Sequence, residues 1–501
     1  MPDILSQLAD LNPAPEAERL PGPAKSEEIY GQITAQIADE RAGRRGRIVP
    51  GNFVRFTPQM LVRVAMVAFL LMLSAGGLFL ISKSGSRSLL RPTHNGGHNG
   101  HGNQGNHGNH GSNRGTGPTP VGPDVPAPTN GEWTYQPNLL PQDATAGGSI
   151  GGISCVSADF CMAVGGWMTQ LAGSATAGHA LAELWNGHDW AVLATPAPEP
   201  ALRVEMSSVS CPSVDWCVAV GSGDPSTGYH HHAVTEFWDG TSWSLGTTPN
   251  PGSLGTDLAF VSCPNTTFCM AVGESYVSRG AVALMWNGSV WTSVAVPEPS
   301  PTSLGIDRSN YLPGVSCVSA SDCVAVGNYT HAKNQSSNEA LVMRWDGSSW
   351  RQLTTPAQPA NSWRTLSAVS CTGAVCWAAG QSEIYHGTSA TGIGIIERIV
   401  GDSVTLVPSP DVDSQDSLFG ISCAANECTA SGSYQDASIS NHTLIEHWDG
   451  SSWSLDTNVG GIPDGGNPSP STISCVSAKD CFVVGEYAGT VYSTMPLIVR
   501  N

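Results

Sequence analysis

Residues 314–330 read GVSCVSASDCVAVGNYT, and residues 340–353 read ALVMRWDGSSWRQL. Both phrases recur along the C-terminal three-quarters of the chain, and the cysteines mark the beat. All fourteen fall into seven pairs: Cys155/Cys161, Cys211/Cys217, Cys263/Cys269, Cys317/Cys323, Cys371/Cys376, Cys423/Cys428 and Cys475/Cys481. Successive first members are 56, 52, 54, 54, 52 and 52 residues apart. A full unit holds four short β-rich runs: x-[IV]-S-C, then C-x-A-x-G, then a run ending in Trp, then a run containing a second Trp, both tryptophans being present in five of the seven units.

The third and fourth runs are joined by Asn-Gly or Asp-Gly, as in Trp185-Asn186-Gly187, Trp238-Asp239-Gly240, Trp286-Asn287-Gly288, Trp345-Asp346-Gly347 and Trp448-Asp449-Gly450. These dipeptides signal a hairpin, because a type I′ turn needs φ > 0 at both central positions. A two-residue loop puts Trp448 and Trp453 on one face by strand alternation. They are expected to pack as core aromatics against the next sheet.

The first two runs form another hairpin with the cysteines near its turn. Five or four intervening residues permit a cross-strand disulfide. Structural zinc favours closer pairs and a second ligand pair, which the repeats lack. On the chain-entropy model each bridge contributes on the order of 2 kcal/mol.

Seven four-stranded units predict an all-β fold, a seven-bladed β-propeller. A linear solenoid is the rival. The seventh repeat stops at Leu497-Ile498-Val499-Arg500-Asn501, with no fourth run of its own. A matching run stands upstream, Asn130-Gly131-Glu132-Trp133-Thr134-Tyr135. An N-terminal strand therefore closes the last blade and leaves few free edges. Residues 131–501 supply 371 residues, or 53 per blade.

The rest of the chain differs in composition. Residues 1–59 are polar and charged and are expected to be a mostly disordered tail. Within it, Ser26-Glu27-Glu28-Ile29 resembles a helix start. Residues 64–81, VAMVAFLLMLSAGGLFLI, carry no charge. At ~1.5 Å per residue this is the lower length limit for a spanning helix, so 60–83 is expected to be a transmembrane signal anchor. Residues 84–130 are expected to be a flexible linker rich in Gly, Asn, His and Pro. Its 39 residues at 92–130 would span roughly 30–40 Å as a coil. Arg41, Arg44, Arg45, Arg47, Arg55 and Arg63 flank the apolar run on its N-terminal side and Lys83, Arg87 and Arg91 on its C-terminal side, a six-to-three bias that places the N-terminus in the cytoplasm. Disulfides persist in oxidising compartments, which agrees with a propeller outside the cell. The expected location is the cell membrane, single-pass.

Residues 131–501 hold 32 acidic and 10 basic side chains. Such a domain repels nucleic acid and other anionic polymers, so no nucleic-acid partner is expected.

The repeat resembles a recurrent bacterial extracytoplasmic repeat, S-C-x(4,5)-C-x-A-V-G followed by W-[DN]-G-x-x-W, over the whole of 131–501. In architecture it is similar to kelch and sialidase-type propellers. It departs from both in detail. Asp449-Gly450-Ser451-Ser452-Trp453 lacks the residue that separates Asp from Gly in a sialidase Asp-box. No arginine triad can be placed, and the kelch double glycine does not recur. The resemblance implies no particular chemistry.

In a propeller, the second-to-third and blade-to-blade connections share one face, and here they vary most. Variable loops on a rigid scaffold carry function. After each C-x-A-x-G run comes an aromatic residue: Trp167, Tyr229, Tyr276, Tyr329, Tyr385, Tyr434 and Tyr487. These seven either form a ligand ring for sugars or peptides or close the second strand against a neighbouring blade. His230-His231-His232 rarely would converge on one ion, so no metal and no cofactor is expected. No nucleophile-elbow, zinc-protease or phosphate-loop motif appears. The expected function is recognition of a glycan or protein ligand at the loop face. The alternatives are a carbohydrate-active enzyme using acids such as Glu274, Asp436 or Glu486, and a surface sensor.

Overall fold

Upstream of each first cysteine the chain alternates small polar with branched apolar residues, and a strand with one buried face follows. The computed structural model describes residues 133–501 except 138–139, 172–175, 197–201, 226–230, 252–254, 276–279, 300–309, 331–337, 360, 387–388, 411, 413–414, 437, 457–458, 461–465 and 490–493. The tail, anchor and linker expectations fall outside these residues. Among the described residues every regular element is a strand, and no helix is long and apolar enough to cross a membrane.

Blade one shows the plan. Gly148–Ser157, Phe160–Gln170, Thr176–Trp185 and Trp190–Leu193 form an antiparallel meander in sequence order. Blades two to six repeat it. Blade seven runs Pro468–Ser477, Asp480–Tyr487 and Met495–Arg500, and Trp133–Tyr135 pairs antiparallel with the last of these. The N-terminal strand thus closes the ring. A fifth strand that the repeat does not foreshadow, Val459–Gly460, lies parallel to Trp133–Tyr135.

Seven disulfides span the first hairpins, one per blade, at Cα separations of 4.0–4.1 Å. They are Cys155–Cys161, Cys211–Cys217, Cys263–Cys269, Cys317–Cys323, Cys371–Cys376, Cys423–Cys428 and Cys475–Cys481. The pairing is as expected, and so is the place of the cysteines beside the hairpin turn. The second members, Cys161, Cys217, Cys269, Cys323, Cys376, Cys428 and Cys481, are all at most 5% exposed, and each belongs to a different one of seven apolar core clusters. The cause is their strand. It is flanked in its own sheet by the first and third strands and covered by neighbouring blades, so the sulfur packs as a small apolar group. These seven cysteines are therefore structural and out of reach of a ligand.

The serine before each first cysteine joins neighbouring blades. Ser154 Oγ accepts from the Cys211 amide at 3.0 Å, and Ser210, Ser262, Ser316, Ser370 and Ser422 do the same to the next blade. Ser474 accepts from Cys155 at 3.0 Å, so the hydrogen bonds run once round the axis and return.

The motif glycine has an equally local cause. Each first strand carries a bulge, between Ile150 and Gly152 in blade one and between Tyr311 and Gly314 in blade four. The bulge drives a carbonyl against the second strand. A Cβ on Gly165, Gly221, Gly273, Gly327, Gly380, Gly432 or Gly485 would lie 1.9–2.2 Å from that oxygen. Only glycine fits so close an approach.

Two expectations about the third and fourth strands also need correction. Trp185 and Trp190 do share a face, with ring centroids 5.6 Å apart, but they pack on Phe482 and Val484 of the preceding blade, not the next one. Trp345 and Trp350 likewise meet Met270 and Val272 of blade three. The turns are not type I′. In Trp185-Asn186-Gly187-His188-Asp189-Trp190 only Gly187 has positive φ, at 96°. Asn186 stands before the loop, and its Oδ1 accepts from the amides of His188 and Asp189 at 2.9 Å. The Asn or Asp is therefore an Asx cap rather than a left-handed residue.

Candidate functional site

The first strands of successive blades stand side by side around the axis. Disulfide hairpins and Asx turns occupy one face of the ring. The other face is built by the opposite ends of the same strands. There, six residues before each first cysteine, the first strands place Ser149, Glu205, Asp257, Tyr311, Thr365, Ser417 and Ser469. Their ladder partners on the second strands are Gly166, Ser222, Glu274, Asn328, Gln381, Ser433 and Glu486. The flanking Cys, Ala and Gly positions are near-constant from blade to blade, whereas this column passes from Ser or Thr in blades five, six, seven and one to Glu, Asp and Tyr in blades two, three and four.

The column divides the mouth into two sectors. Blades seven, two, three and four hold Glu486, Glu205, Asp257, Glu274 and Tyr311. Blades five and six hold Thr365, Gln381, Ser417 and Ser433, with the Ser417 hydroxyl donating to Gln381 Oε1. Glu205 is exposed, and Asp257, Glu274, Tyr311 and Glu486 are half-buried. Burial raises the Glu486 carboxyl, and the charge of Glu205 raises it further. Blade one separates these two acids and offers only small groups. A Cβ on its Gly166 would meet the Glu205 stem at 3.3 Å. Tyr311 is pushed up to about 12 by burial and then by the charges of Glu274 and Asp257. His231 Nδ1 lies 3.3 Å from Asp224 Oδ1 and 3.4 Å from Asp257 Oδ1. Among the described residues no group of three or more His, Cys, Asp or Glu side chains is placed to hold a metal ion.

The seven aromatic positions fare differently. Tyr229 and Tyr276 lie outside the described residues. Trp167 stacks on His179 at 4.2 Å, and Tyr434 stacks on His442 at 5.0 Å. Tyr329 donates to Glu339 Oε2 at 2.5 Å, and burial together with that bond raises its pKa. Tyr385 donates to Glu383 Oε2 at 2.7 Å, is held up at about 12 chiefly by that bond, and meets Trp363 edge-on. Tyr487 is only 8% exposed, sits in the core of blade seven, and contacts Tyr135 edge-on at 6.0 Å. Trp167, Tyr329 and Tyr434 also pack against core clusters shared with the preceding blade.

Of the acids singled out from sequence, Glu274 and Glu486 reach the mouth. Asp436 instead caps its own turn, and its pKa is lowered by hydrogen bonds from the Ser438 hydroxyl, from His442 and from the Ser440 and Ser438 amides. Glu205, Asp257 and Tyr311 were missed, because they lie in the first strand rather than in a loop. The column six residues before each first cysteine is the signal that finds them.

A second set of acids lies within the sheets. Glu183, Glu236, Glu397 and Glu446 are at most 1% exposed on third strands, at the position taken by Leu284 in blade three and Met343 in blade four. Burial raises the first two to about 8 and the others to about 7. Glu446 Oε2 accepts from Ser409 at 2.6 Å, and Glu397 Oε1 lies 3.6 Å from the buried Arg364. They face neighbouring sheets rather than the mouth.

No protein-family model matches the chain, and no curated protein matches it. Two of the many solved structures similar to it illustrate the likeness. One is YCF48 bound to a D1 peptide, at 14% identity and a TM-score of 0.44, over 74% of this chain and 94% of that one. The other is the polysaccharide lyase Uly1, at 10% identity and a TM-score of 0.44, over 73% and 91%. The seven-bladed assignment rests on strand order and closure, independently of these likenesses.

Proposed function

We propose that residues 131–501 are an extracytoplasmic recognition module. In this reading 60–83 anchors them to the cell membrane, with 1–59 inside and 84–130 as tether. The observation that carries it is the column around the mouth, which switches to Glu, Asp and Tyr in blades two to four and is Ser or Thr elsewhere while the surrounding scaffold repeats. A rigid ring then presents one acidic arc and one neutral, hydrogen-bonding arc. Such a mouth favours a hydroxyl-rich glycan or a peptide with a basic side chain, and it disfavours anionic polymers. Trp167, Tyr329, Tyr385 and Tyr434 border the same face and add flat apolar surface.

The test is an array of glycans, cell-wall fragments and peptides, probed with the oxidised full chain in detergent. Saturable binding that falls at least about tenfold in an E205Q/D257N double variant supports the proposal. Binding untouched by those changes removes the mouth from it.

A carbohydrate-active enzyme is the second reading, favoured by one observation. Glu486 is raised by burial and by a second carboxylate, the condition in which one acid holds a proton while the other stays charged. Mass spectrometry of the same array decides it, because new cleavage products that vanish in E486Q would make the mouth catalytic.

A further inference from the structure

We propose that a cavity between blades six and seven binds an indole ring. In blades one, two, three, four and six the second cysteine is paired across the ladder with a third-strand tryptophan: Trp185, Trp238, Trp286, Trp345 and Trp448. In blade five the place goes to Ile399. In blade seven it goes to Asn501, whose Oδ1 accepts from the Cys481 amide at 3.0 Å. The fourth-strand tryptophan is nonetheless present there. Trp133 is 1% exposed, donates to Asp456 Oδ2 at 2.9 Å, and stands one ladder step beyond the Thr134–Arg500 pair.

A cavity of about 570 Å³ occupies this place, within the ~300–1,000 Å³ typical of small-ligand sites. Trp133, Ala478 and Asn501 line it from blade seven, and Ile445, His447 and Leu455 from blade six. The other blades show what such walls take. Each of the five tryptophans lies 5.6–5.8 Å, centroid to centroid, from its fourth-strand partner. Four donate Nε1–H to a carbonyl three residues after the first cysteine, on Ala158, Val214, Thr266 and Ala320, at 3.0–3.2 Å. The corresponding carbonyl in blade seven belongs to Ala478, which lines the cavity. The preceding blade supplies the second ring contact, as Phe237 does for Trp286 at 4.8 Å. His447 holds that position in blade six. An apolar wall, an imidazole and a carbonyl acceptor are thus placed as elsewhere in this fold they hold an indole.

The cavity exceeds one indole because Thr429 stands where Trp377 or Phe482 fills two other interfaces, and Glu427 and Lys479 add charge to its lining. The ligand is an indole bearing a polar arm, either a free compound or a tryptophan side chain of a partner. The site is separate from the channel mouth, so it stands whether or not the recognition proposal does.

Titration calorimetry of the oxidised full chain in detergent, with indole, 1-methylindole and N-acetyltryptophanamide as probes, tests it. One-site binding is expected for indole, at least about tenfold weaker for 1-methylindole, which cannot donate. N501W should abolish binding and raise the unfolding midpoint by filling the cavity. L455W narrows the cavity from blade six and should abolish binding even if the first variant does not fold. Tighter binding of N-acetyltryptophanamide than of indole assigns the site to a protein side chain, and the reverse order assigns it to a free compound. Absence of saturable binding, equal affinity for 1-methylindole, or binding unchanged in both variants overturns the proposal.

Discussion

Gly327 has no freedom to become alanine, because a Cβ there would sit 1.9 Å from the Tyr311 carbonyl oxygen. The backbone has to move, and overpacking of this kind costs about 1–3 kcal/mol or more. G327A should therefore lower the urea midpoint clearly, while an exposed control such as S293A should not. Ser316 acts on a smaller scale. Its hydroxyl satisfies the Cys371 amide at 3.0 Å, and removing it strands a donor, at about 1–2 kcal/mol. S316A is expected to lower the midpoint by that amount, and S316T to recover part of it. Both residue types were legible as motif letters. Their reasons were not, because the bulge and the inter-blade hydrogen bond join residues from different strands or blades. The cysteines divide in the same way. Their pairing was legible from spacing, whereas the burial of Cys323 and its six equivalents depends on the neighbouring blades.

At the scale of the element, the Trp-Asp-Gly-x-x-Trp phrase marked its hairpin correctly but misassigned the turn. The left-handed residue is the glycine, and the Asp or Asn works through its side chain. The direction of Trp packing was also illegible, since alternation tells which residues share a face but not which neighbour that face meets. The closing strand was legible because Asn130–Trp133 repeats the end of a unit that the last repeat lacks. Its weight is testable. Trp133 is almost wholly buried, and a buried Trp→Ala change costs about 3–5 kcal/mol. W133A should lower the unfolding midpoint more than W363A does, since Trp363 is 37% exposed. Equal effects would mean that the strand does not hold the ring shut.

Over the whole molecule, the buried glutamates make stability depend on pH in a predictable direction. In the folded chain Glu183 and Glu236 titrate at about 8, and Glu397 and Glu446 at about 7, against an ordinary 4.5. Raised acids favour the folded state below the ordinary value, where both states hold the proton. The benefit is lost as pH climbs from about 4.5 to about 8. The exposed turn acids Asp239, Asp346 and Asp449 have the opposite sign. Their hydrogen bonds to neighbouring turn residues lower them to about 2, so their contribution is present above the ordinary value of 3.8 and fades as pH falls towards 2. Urea midpoints should thus peak near pH 4–5 and decline towards pH 8, and an E183Q/E236Q variant should flatten the decline. A midpoint that rises from pH 5 to 8 would contradict this assignment.

The architecture of the whole ring was readable because the cysteine spacing and the motif glycine recur seven times and the Trp phrase five times. The mouth was readable only in part. Glu274 and Glu486 stood out beside a motif, whereas Glu205, Asp257 and Tyr311 gain meaning only when seven first strands are brought round one axis. Hydrogen–deuterium exchange of the oxidised full chain, with and without a ligand found on the array, tests the account most directly. Protection should concentrate on segments 203–207, 255–259 and 311–313 at the channel mouth. Protection confined to the cystine hairpins and Asx turns of the opposite face would contradict it.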